Sequence, residues 1–291
     1  MVDRSMRGLF PILAMPFDDR DDIDVEDLQR EVDFAIDAGV DGLGIAFGSE
    51  VNRLSEAERD LAARTVIAQA AGRVPVVVNT GAESTRVAVE YSRRAEELGA
   101  DAVMAVPPAA AGGGDPVVEY FRAIGEALKV PVFIQDAGAA GVAPALMARI
   151  ARESENVCYA KVETPPTPPR IAETVAAAGD GLIVLGGMSG AFLIEEMRRG
   201  SVGTMPHCHV PDMFRRVIDL FLAGREDEAE REFNMHTPLF RLHGPQVNKE
   251  VLRLRGVFKS SRLRHPVPPT DELTLRELRR LVEELGLART R

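Results

Sequence analysis

The sequence predicts an α/β fold, a (β/α)8 TIM barrel with a C-terminal three-helix extension, and three observations lead to this fold class. Short β-branched runs alternate with longer amphipathic stretches, and eight such pairs fit into about 220 residues, the length that eight barrel units need. A doubly wound sheet is the alternative, but no G-x-G-x-x-G motif follows the first strand. Beyond Gly224 the strand patterns stop and only helical patterns follow.

The predicted strands are short runs rich in valine, isoleucine and other apolar residues. They occupy, in chain order, 9–17, 42–47, 74–80, 102–106, 130–135, 157–162, 182–185 and 201–205. The stretches between them carry apolar residues at helical spacing, as in 84–98, where Val87, Ala88 and Tyr91 recur on one face. Glycines that follow alanine or leucine, such as Gly39 and Gly99, indicate the C-terminal ends of helices.

The last part of the chain carries three helical patterns, over 226–242, 246–256 and 273–285, and a proline-rich segment precedes the third. We therefore predict a barrel over residues 1–224 and a helical extension over residues 225–291.

Charge and composition limit the function. The net charge of −10 disfavours nucleic acid and anionic membranes as partners. No run approaches the 18 or so apolar residues of a membrane span, and the N-terminus lacks a signal-peptide pattern. Two cysteines, Cys158 and Cys208, do not make a disulfide framework. These features predict a cytoplasmic protein.

A lysine in the sixth predicted strand is the strongest candidate for chemistry. Only four of the 35 basic residues are lysines. Alternation along the strand puts Tyr159, Lys161 and Glu163 on one face, which we expect to point into the barrel. Desolvation of an amine favours its neutral form, which attacks carbonyl groups to give a Schiff base, and Glu163 is placed to act as a general base. The alternative is a structural Lys–Glu pair. The other three lysines, Lys129, Lys249 and Lys259, have ordinary settings in a loop and in the helical extension.

Several further segments share the pattern of one known family. They are GLFPILAMPF at 8–17, Glu50 with LSEAER at 54–59, VNTG at 78–81 followed by Ser84 and Thr85, and GAD at 99–101. With Lys161, they resemble the dihydrodipicolinate synthase/N-acetylneuraminate lyase family of class I aldolases over nearly the whole chain. The resemblance implies that Lys161 is the Schiff-base lysine, that the substrate is a 2-oxo acid, and that no cofactor is needed.

The departures from this family are informative. In the family, the segment Gly-Thr-Thr-Gly-Glu after strand two holds the substrate carboxylate. This chain has AFGSE at 46–50 instead, so that the backbone N–H groups of Gly48 and Ser49 remain as hydrogen-bond donors. Its catalytic tyrosine at the end of strand five is replaced within Gln135-Asp136-Ala137. An amide does not titrate, so Gln135 can position groups but cannot relay protons as a tyrosine does.

A lysine two residues before a glutamate, with Gln-Asp in strand five, is similar to the 2-keto-3-deoxy-sugar-acid, arabonate-type dehydratase branch. The sequence therefore favours a Schiff-base hydro-lyase with Lys161 and Glu163 as catalytic residues. Two alternatives stay open: a pyruvate-dependent class I aldolase, either dihydrodipicolinate synthase-like or acting on sugar acids, and a non-catalytic barrel that binds a 2-oxo acid. The resemblance also implies a homo-oligomer, usually a tetramer.

Other polar residues are candidates for substrate binding. The turn GGMSG at 186–190 opens a helix, and the resemblance implies that Gly187 lines the substrate pocket, with a phosphate site as the alternative. Ser189 either binds a substrate hydroxyl or caps the helix. Asp136 either orients Gln135, contacts substrate or caps the next helix. His207 is expected to contact substrate hydroxyls, because the pair His207 and His209 lacks a third ligand for a metal. We therefore expect no metal.

Overall fold

A computed structural model describes residues 2–138, 141–242 and 244–287. In this part of the chain eight strands alternate with helices, and three further helices follow. The strands are β1 (Gly8–Leu9), β2 (Leu43–Ile45), β3 (Val76–Asn79), β4 (Ala102–Ala105), β5 (Val132–Asp136), β6 (Val157–Val162), β7 (Ile183–Gly186) and β8 (Gly203–Thr204). The helices are α1 (Val25–Asp37), α2 (Glu56–Ala70), α3 (Thr85–Glu97), α4 (Asp115–Glu126), α5 (Pro144–Glu153), α6 (Thr167–Ala178), α7 (Leu193–Met197), α8 (Pro211–Leu222), α9 (Glu226–His236), α10 (Pro245–Leu254) and α11 (Glu272–Glu284).

The first strand is much shorter than the sequence predicts. The expected strand over 9–17 is reduced to β1, followed by bridge pairs at Ile12 and Phe17. Pro11 and Pro16 interrupt this stretch, and because proline has no backbone N–H, a continuous ladder cannot pass through them.

Helix ends follow local rules. Ser55 and Glu58 form a reciprocal capping box at the start of α2, and the Ser84 hydroxyl accepts from the backbone N–H of Val87 in α3. Gly39 and Gly99, predicted to end helices, have φ of +82° and +97°, a region that residues with a Cβ rarely adopt.

The chain forms two compact units. The first consists of Met1–Phe10 and Pro75–Pro206, and the second of Pro11–Val74 and His207–Arg291. In the first unit seven strands pair in parallel in the order β1, β8, β7, β6, β5, β4, β3. These strands are almost entirely buried, as expected of parallel strands covered by helices.

The second unit contains β2 and six helices of the described chain, α1, α2 and α8 to α11. Ile12 bridges in parallel to both Gly44 of β2 and His207, which fixes the segment after β1 between β2 and the segment after β8. Ala14, Leu252, Val257 and Phe258 form a buried apolar cluster here, against which Phe34 of α1 packs. None of the described helices has the length and apolar character needed to cross a bilayer.

Candidate active site

Lys161 lies near the end of β6 in the first unit, with only 4% of its surface exposed. The register pairs it with Gln135 of β5 on one side and with Leu185 of β7 on the other. Tyr159, two residues earlier on the same face, stacks on Phe133 of β5 with 4.4 Å between ring centroids. Tyr159 and Lys161 therefore share one face, as the alternation in the sequence predicted, and the register between β5 and β6 places Gln135 beside Lys161.

Glu163 follows β6, and its carboxylate accepts from three donors. Its Oε1 lies 3.0 Å from the Lys161 Nζ and 3.3 Å from the backbone nitrogen of Met188, and its Oε2 lies 2.7 Å from the Gln135 Nε2. Burial acts to raise the pKa of Glu163, but the Lys161 ammonium and the hydrogen bonds outweigh it and hold that pKa below its ordinary value. At neutral pH Glu163 is thus a carboxylate that can accept a proton.

Asn79, at the end of β3, extends this chain of polar groups. Its Nδ2 donates to the Gln135 Oε1 at 2.9 Å, and both side chains are buried. The sequence places Asn79 in the family-like VNTG turn at 78–81 but does not identify it as a site residue. An amide side chain that ends a fully buried strand is the signal that identifies it, because such a group needs a polar partner.

The turn after β7 supplies the Met188 N–H. Met188 and Ser189 have φ of 45° and 58°, so two consecutive residues with a Cβ adopt the left-handed conformation. A Cβ added to Gly187 would lie 2.2 Å from the Glu163 Cγ, so the carboxylate side chain needs glycine at this position. The predicted substrate contact of Gly187 stays a prediction, and its observed role is to make room for Glu163.

Ser189 lies in this turn and is half-buried. The alternative that it caps the following helix is wrong, because α7 begins after Phe192, which is its N-cap residue. The backbone N–H of Met188 is already bonded to Glu163, and no phosphate is needed to account for the turn. A hydrogen bond from Ser189 to a substrate hydroxyl stays a prediction.

Asp136 has partners that the sequence did not predict. Its buried carboxylate accepts from Arg170 of α6 at 2.5 and 2.9 Å, from the Val142 backbone at 2.7 Å and from the Thr164 hydroxyl at 2.8 Å. It does not cap α5, whose N-cap residue is Ala143. Gln135 and Asp136 point to opposite faces of β5, so Asp136 fixes the loop over the helix side of the sheet. This favours a structural role, and its substrate contact stays a prediction.

Glu196 of α7 is a second buried carboxyl group in this unit, which sequence reasoning missed. It accepts from the Thr167 hydroxyl, and a Cβ on Gly186 would overlap its Oε2. Burial raises the pKa of Glu196 to about 7, and the nearby charges of Glu195 and Glu163 act in the same direction. Gly186 pairs with Val162, whose side chain points away from the Lys161 face, so Glu196 lies behind the strands.

In the second unit, the structure brings together two residues predicted to bind substrate. A Cβ on Gly48 would lie 2.8 Å from the Cε1 and Nδ1 of His207, so the imidazole packs directly against this glycine. His207 is half-buried, and its bridge with Ile12 fixes it at the end of the chain segment that follows β8. Larger residues at position 48 would displace the His207 ring.

Ser49 is fully buried, and its polar groups form the turn in which it lies. Its backbone N–H donates to the Ala46 carbonyl at 2.8 Å, and its hydroxyl donates to the Leu13 carbonyl while accepting from the Ala46 N–H. These bonds favour a structural role for Ser49, and its contact with a substrate carboxylate stays a prediction.

The expectation that Lys249 has an ordinary setting is wrong. Lys249 of α10 is 1% exposed, and its Nζ lies 2.5 Å from the Oε1 of the equally buried Glu50, 3.1 Å from the Arg262 carbonyl and over the Phe17 ring. Glu50 follows Gly48 and Ser49 and has a φ of 55°. The pair thus ties α10 to the turn after β2. Burial lowers the pKa of Lys249 although Glu50 opposes this shift.

Replacing Lys249 by methionine is expected to cost about 3 to 5 kcal/mol of stability, because it removes the nearest cation from the buried Glu50 carboxylate and leaves Arg53, at 3.3 Å, as its charged partner. Urea denaturation measures this loss. Lys259→Met is the matched control, because Lys259 is about half exposed where it pairs with Asp24 and Glu26, and its loss should be much smaller. Adding Glu50→Gln to Lys249→Met should recover part of the stability. Equal losses of stability for Lys249→Met and Lys259→Met would contradict the stabilising role of the buried Lys249–Glu50 pair.

The histidine pair does not gather metal ligands. Among the described residues no group of three histidine, cysteine, aspartate or glutamate side chains is placed to hold a metal ion. Burial of His209, together with the neighbouring His207 and Arg255, lowers its pKa to about 3. His209 is therefore neutral at physiological pH and packs in the core of the second unit.

Comparisons with known proteins identify the family to which the chain is similar. The model of the Dihydrodipicolinate synthetase family matches residues 5–285. An L-2-keto-3-deoxyarabonate dehydratase of Azospirillum brasilense is 35% identical, over 96% of this chain and 94% of its own. A 4-hydroxy-tetrahydrodipicolinate synthase of Pelobacter propionicus is 30% identical, over 97% of this chain and 99% of its own.

Solved structures confirm the predicted fold class. The crystal structure of a dihydrodipicolinate synthase from Thermotoga maritima superposes with a TM-score of 0.90 and 24% identity, over 97% of this chain and 99% of that one. The fold is a (β/α)8 barrel followed by C-terminal helices, as the alternating sequence pattern predicted.

Proposed function

Since the chain belongs to the dihydrodipicolinate synthetase family, we propose that it is a Schiff-base hydro-lyase that dehydrates a 2-keto-3-deoxy sugar acid. The observation that carries this proposal is the arrangement of Lys161, Glu163 and Gln135: a buried amine 3.0 Å from a carboxylate, with an amide where the family has a tyrosine. Similarity to an L-2-keto-3-deoxyarabonate dehydratase over nearly the whole chain supports the same reaction.

The first step is imine formation. The Lys161 amine attacks the C2 carbonyl of the substrate, and loss of water gives a protonated imine. Glu163 stabilises this cation, because its carboxylate already lies within ion-pair distance of Nζ. The positive charge at C2 makes the C3 protons acidic.

The second step is proton transfer and dehydration. The Glu163 carboxylate removes a proton from C3, which gives an enamine and leaves Glu163 protonated. The enamine electrons then expel the hydroxyl at C4, and Glu163 returns its proton to this leaving group, which departs as water. The resulting conjugated imine tautomerises and is hydrolysed to a 2-oxo semialdehyde, releasing the Lys161 amine.

Gln135 favours dehydration over aldol cleavage. Cleavage of the C3–C4 bond requires a base that removes the proton of the C4 hydroxyl, a role that a tyrosine can fill and an amide cannot. With its Nε2 bonded to Glu163, Gln135 instead positions the base that dehydration uses. We further propose that Gly48, Ser49, Gly187, Ser189 and His207 contribute to substrate binding.

The test is a product assay with L-2-keto-3-deoxyarabonate. We expect a 2-oxo semialdehyde, detected by an aldehyde dehydrogenase coupling, and no pyruvate. Pyruvate together with glycolaldehyde, measured by lactate dehydrogenase coupling, would instead identify an aldolase. Borohydride reduction in the presence of pyruvate or of the 2-keto-3-deoxy acid should add the mass of the reduced adduct to Lys161. If neither compound gives an adduct, the lyase proposal fails as a whole.

We propose a cytoplasmic location, supported by two buried free cysteines, and a homo-oligomer, as the family resemblance implies, with a tetramer as the expected state. We also propose that residues 1–224 supply the catalytic barrel and residues 225–291 the helical extension.

A further inference from the structure

Glu163 needs a fixed direction of hydrogen bonding if it is to act as a base. A carboxylate that accepts hydrogen bonds is stabilised in its ionised form, whereas a neighbouring carbonyl oxygen favours the protonated form. The Gln135 side chain has both kinds of atom, because its amide carries an NH2 donor and an oxygen acceptor on the same carbon. Which end faces Glu163 therefore changes the chemistry of the site.

The observed contacts set this orientation. The Asn79 Nδ2 donates to the Gln135 oxygen at 2.9 Å, which leaves the Gln135 NH2 group to donate to Glu163 at 2.7 Å. Asn79 and Gln135 are 4% and 1% exposed, so water does not compete for either end of the amide. The amide of Gln135 is therefore held between a donor on β3 and an acceptor after β6.

We propose that Asn79 is a positioning residue that fixes the Gln135 amide so that its NH2 group faces Glu163 and keeps it ionised as the base for C3 proton removal. This inference rests on the proposed function. The groups that act on Glu163 from the neighbouring elements are Lys161 of β6, the Met188 N–H after β7, Gln135 of β5 and the carboxyl of Glu196 of α7. Asn79 changes none of these charges, and its effect passes through Gln135.

The test uses exchange of the pyruvate methyl protons with D2O, followed by NMR. This exchange requires only imine formation and C3 proton removal, so it reports Glu163 without the dehydration step. In Asn79→Leu the Gln135 amide loses its fixed orientation. We expect the exchange rate at saturating pyruvate to fall about tenfold, with KM little changed, and the acid limb of its pH profile to move up by about one pH unit.

A double-mutant cycle with Gln135→Met separates positioning from general structural damage. If Asn79 acts through Gln135, Asn79→Leu should have no further effect on exchange in the Gln135→Met background. Asn156→Leu is the matched control. The Nδ2 of Asn156, which directly precedes β6, donates to the Gly125 and Leu128 carbonyls at the end of α4. Loss of these bonds should lower the thermal midpoint without moving the acid limb of the exchange profile.

Two results would overturn the inference: an unmoved acid limb in Asn79→Leu, or a full additional loss of exchange on top of Gln135→Met. Both can be distinguished from failure of the proposed function, because borohydride trapping of pyruvate on Lys161 is measured in the same variants. Trapping without coupling between Asn79 and Gln135 contradicts the positioning role alone. Absence of trapping in the unmodified protein contradicts the Schiff-base lyase itself.

Discussion

Replacing Lys161 by methionine is expected to reduce turnover of a 2-keto-3-deoxy sugar acid by about 10⁴-fold or more and to eliminate the borohydride-trapped adduct. The reaction depends on a covalent bond to this amine, and methionine fills a similar volume without a nucleophile. Steady-state kinetics measure the loss of rate, and intact-protein mass spectrometry measures the adduct. Glu163 keeps its hydrogen bonds from Gln135 and from the Met188 N–H in this variant, so the fold should be retained, which circular dichroism checks.

Two other lysines provide the controls for this experiment. Lys129→Met removes an exposed amine in the same unit and should leave both the rate and the adduct unchanged. Lys249 is buried as deeply as Lys161, so peptide mapping of the trapped protein tests whether burial alone makes a lysine reactive. Lys249 is bonded to Glu50 and the Arg262 carbonyl, and no adduct is expected there. An adduct that survives in Lys161→Met would refute the assignment of the Schiff-base lysine.

The alternation of side chains along β6 was enough to predict which residues share a face with Lys161. Period-two alternation is a property of every extended chain, so Lys161 and Tyr159 could be assigned to one face without knowing their neighbours. The prediction succeeds because covalent geometry, and not long-range packing, determines it. The sequence did not predict the pairing of Gln135 with Lys161, because that pairing depends on the register between β5 and β6.

The partners of buried polar groups could not be predicted in the same way. Lys249 lies on an amphipathic helix far in the sequence from Glu50, and nothing local distinguishes it from an exposed lysine such as Lys259. Asp136 likewise takes Arg170 of a later helix as its partner. Such pairings depend on which helix face meets which loop, and that information comes only from the packed structure.

For the tyrosines, one feature could be predicted from the sequence and another comes only from the packed structure. The sequence indicated that the family's proton-relaying phenol is absent from strand five. The structure adds that the hydroxyls of Tyr159 and Tyr120 are bonded to backbone groups, those of Met6 and Asp3 for Tyr159 and those of Ala82 and Val106 for Tyr120. Burial raises the pKa of each to about 12. Neither phenol is suited to proton transfer at neutral pH, which supports the proposal that Glu163 is the base.

Replacing Glu163 by glutamine is expected to lower turnover by about 10² to 10⁴-fold, because the amide cannot remove the C3 proton. Imine formation depends on Lys161, so the variant should still be trapped by borohydride with pyruvate. In the unmodified protein the lowered pKa of Glu163 means that it becomes protonated only below the ordinary range of a glutamate. Activity of the unmodified protein should therefore persist as pH falls through that range and be lost only at lower pH, where Glu163 becomes protonated. The residual activity of Glu163→Gln should lack this loss.

Gly187→Ala tests the same base without changing its chemistry. The added Cβ would lie 2.2 Å from the Glu163 Cγ, so the carboxylate must move away from the Lys161 amine and the Met188 N–H. The backbone at Gly187 has φ of −138° and ψ of −123°, outside the α and β regions that alanine favours, so the added methyl group acts on the turn as well as on the carboxylate. Gly181→Ala, whose Cβ would meet its nearest neighbour at 3.8 Å, is the control and should remain active. If Gly187→Ala turns over at the normal rate while Glu163→Gln does not, the carboxylate acts from a position other than the one observed beside Lys161.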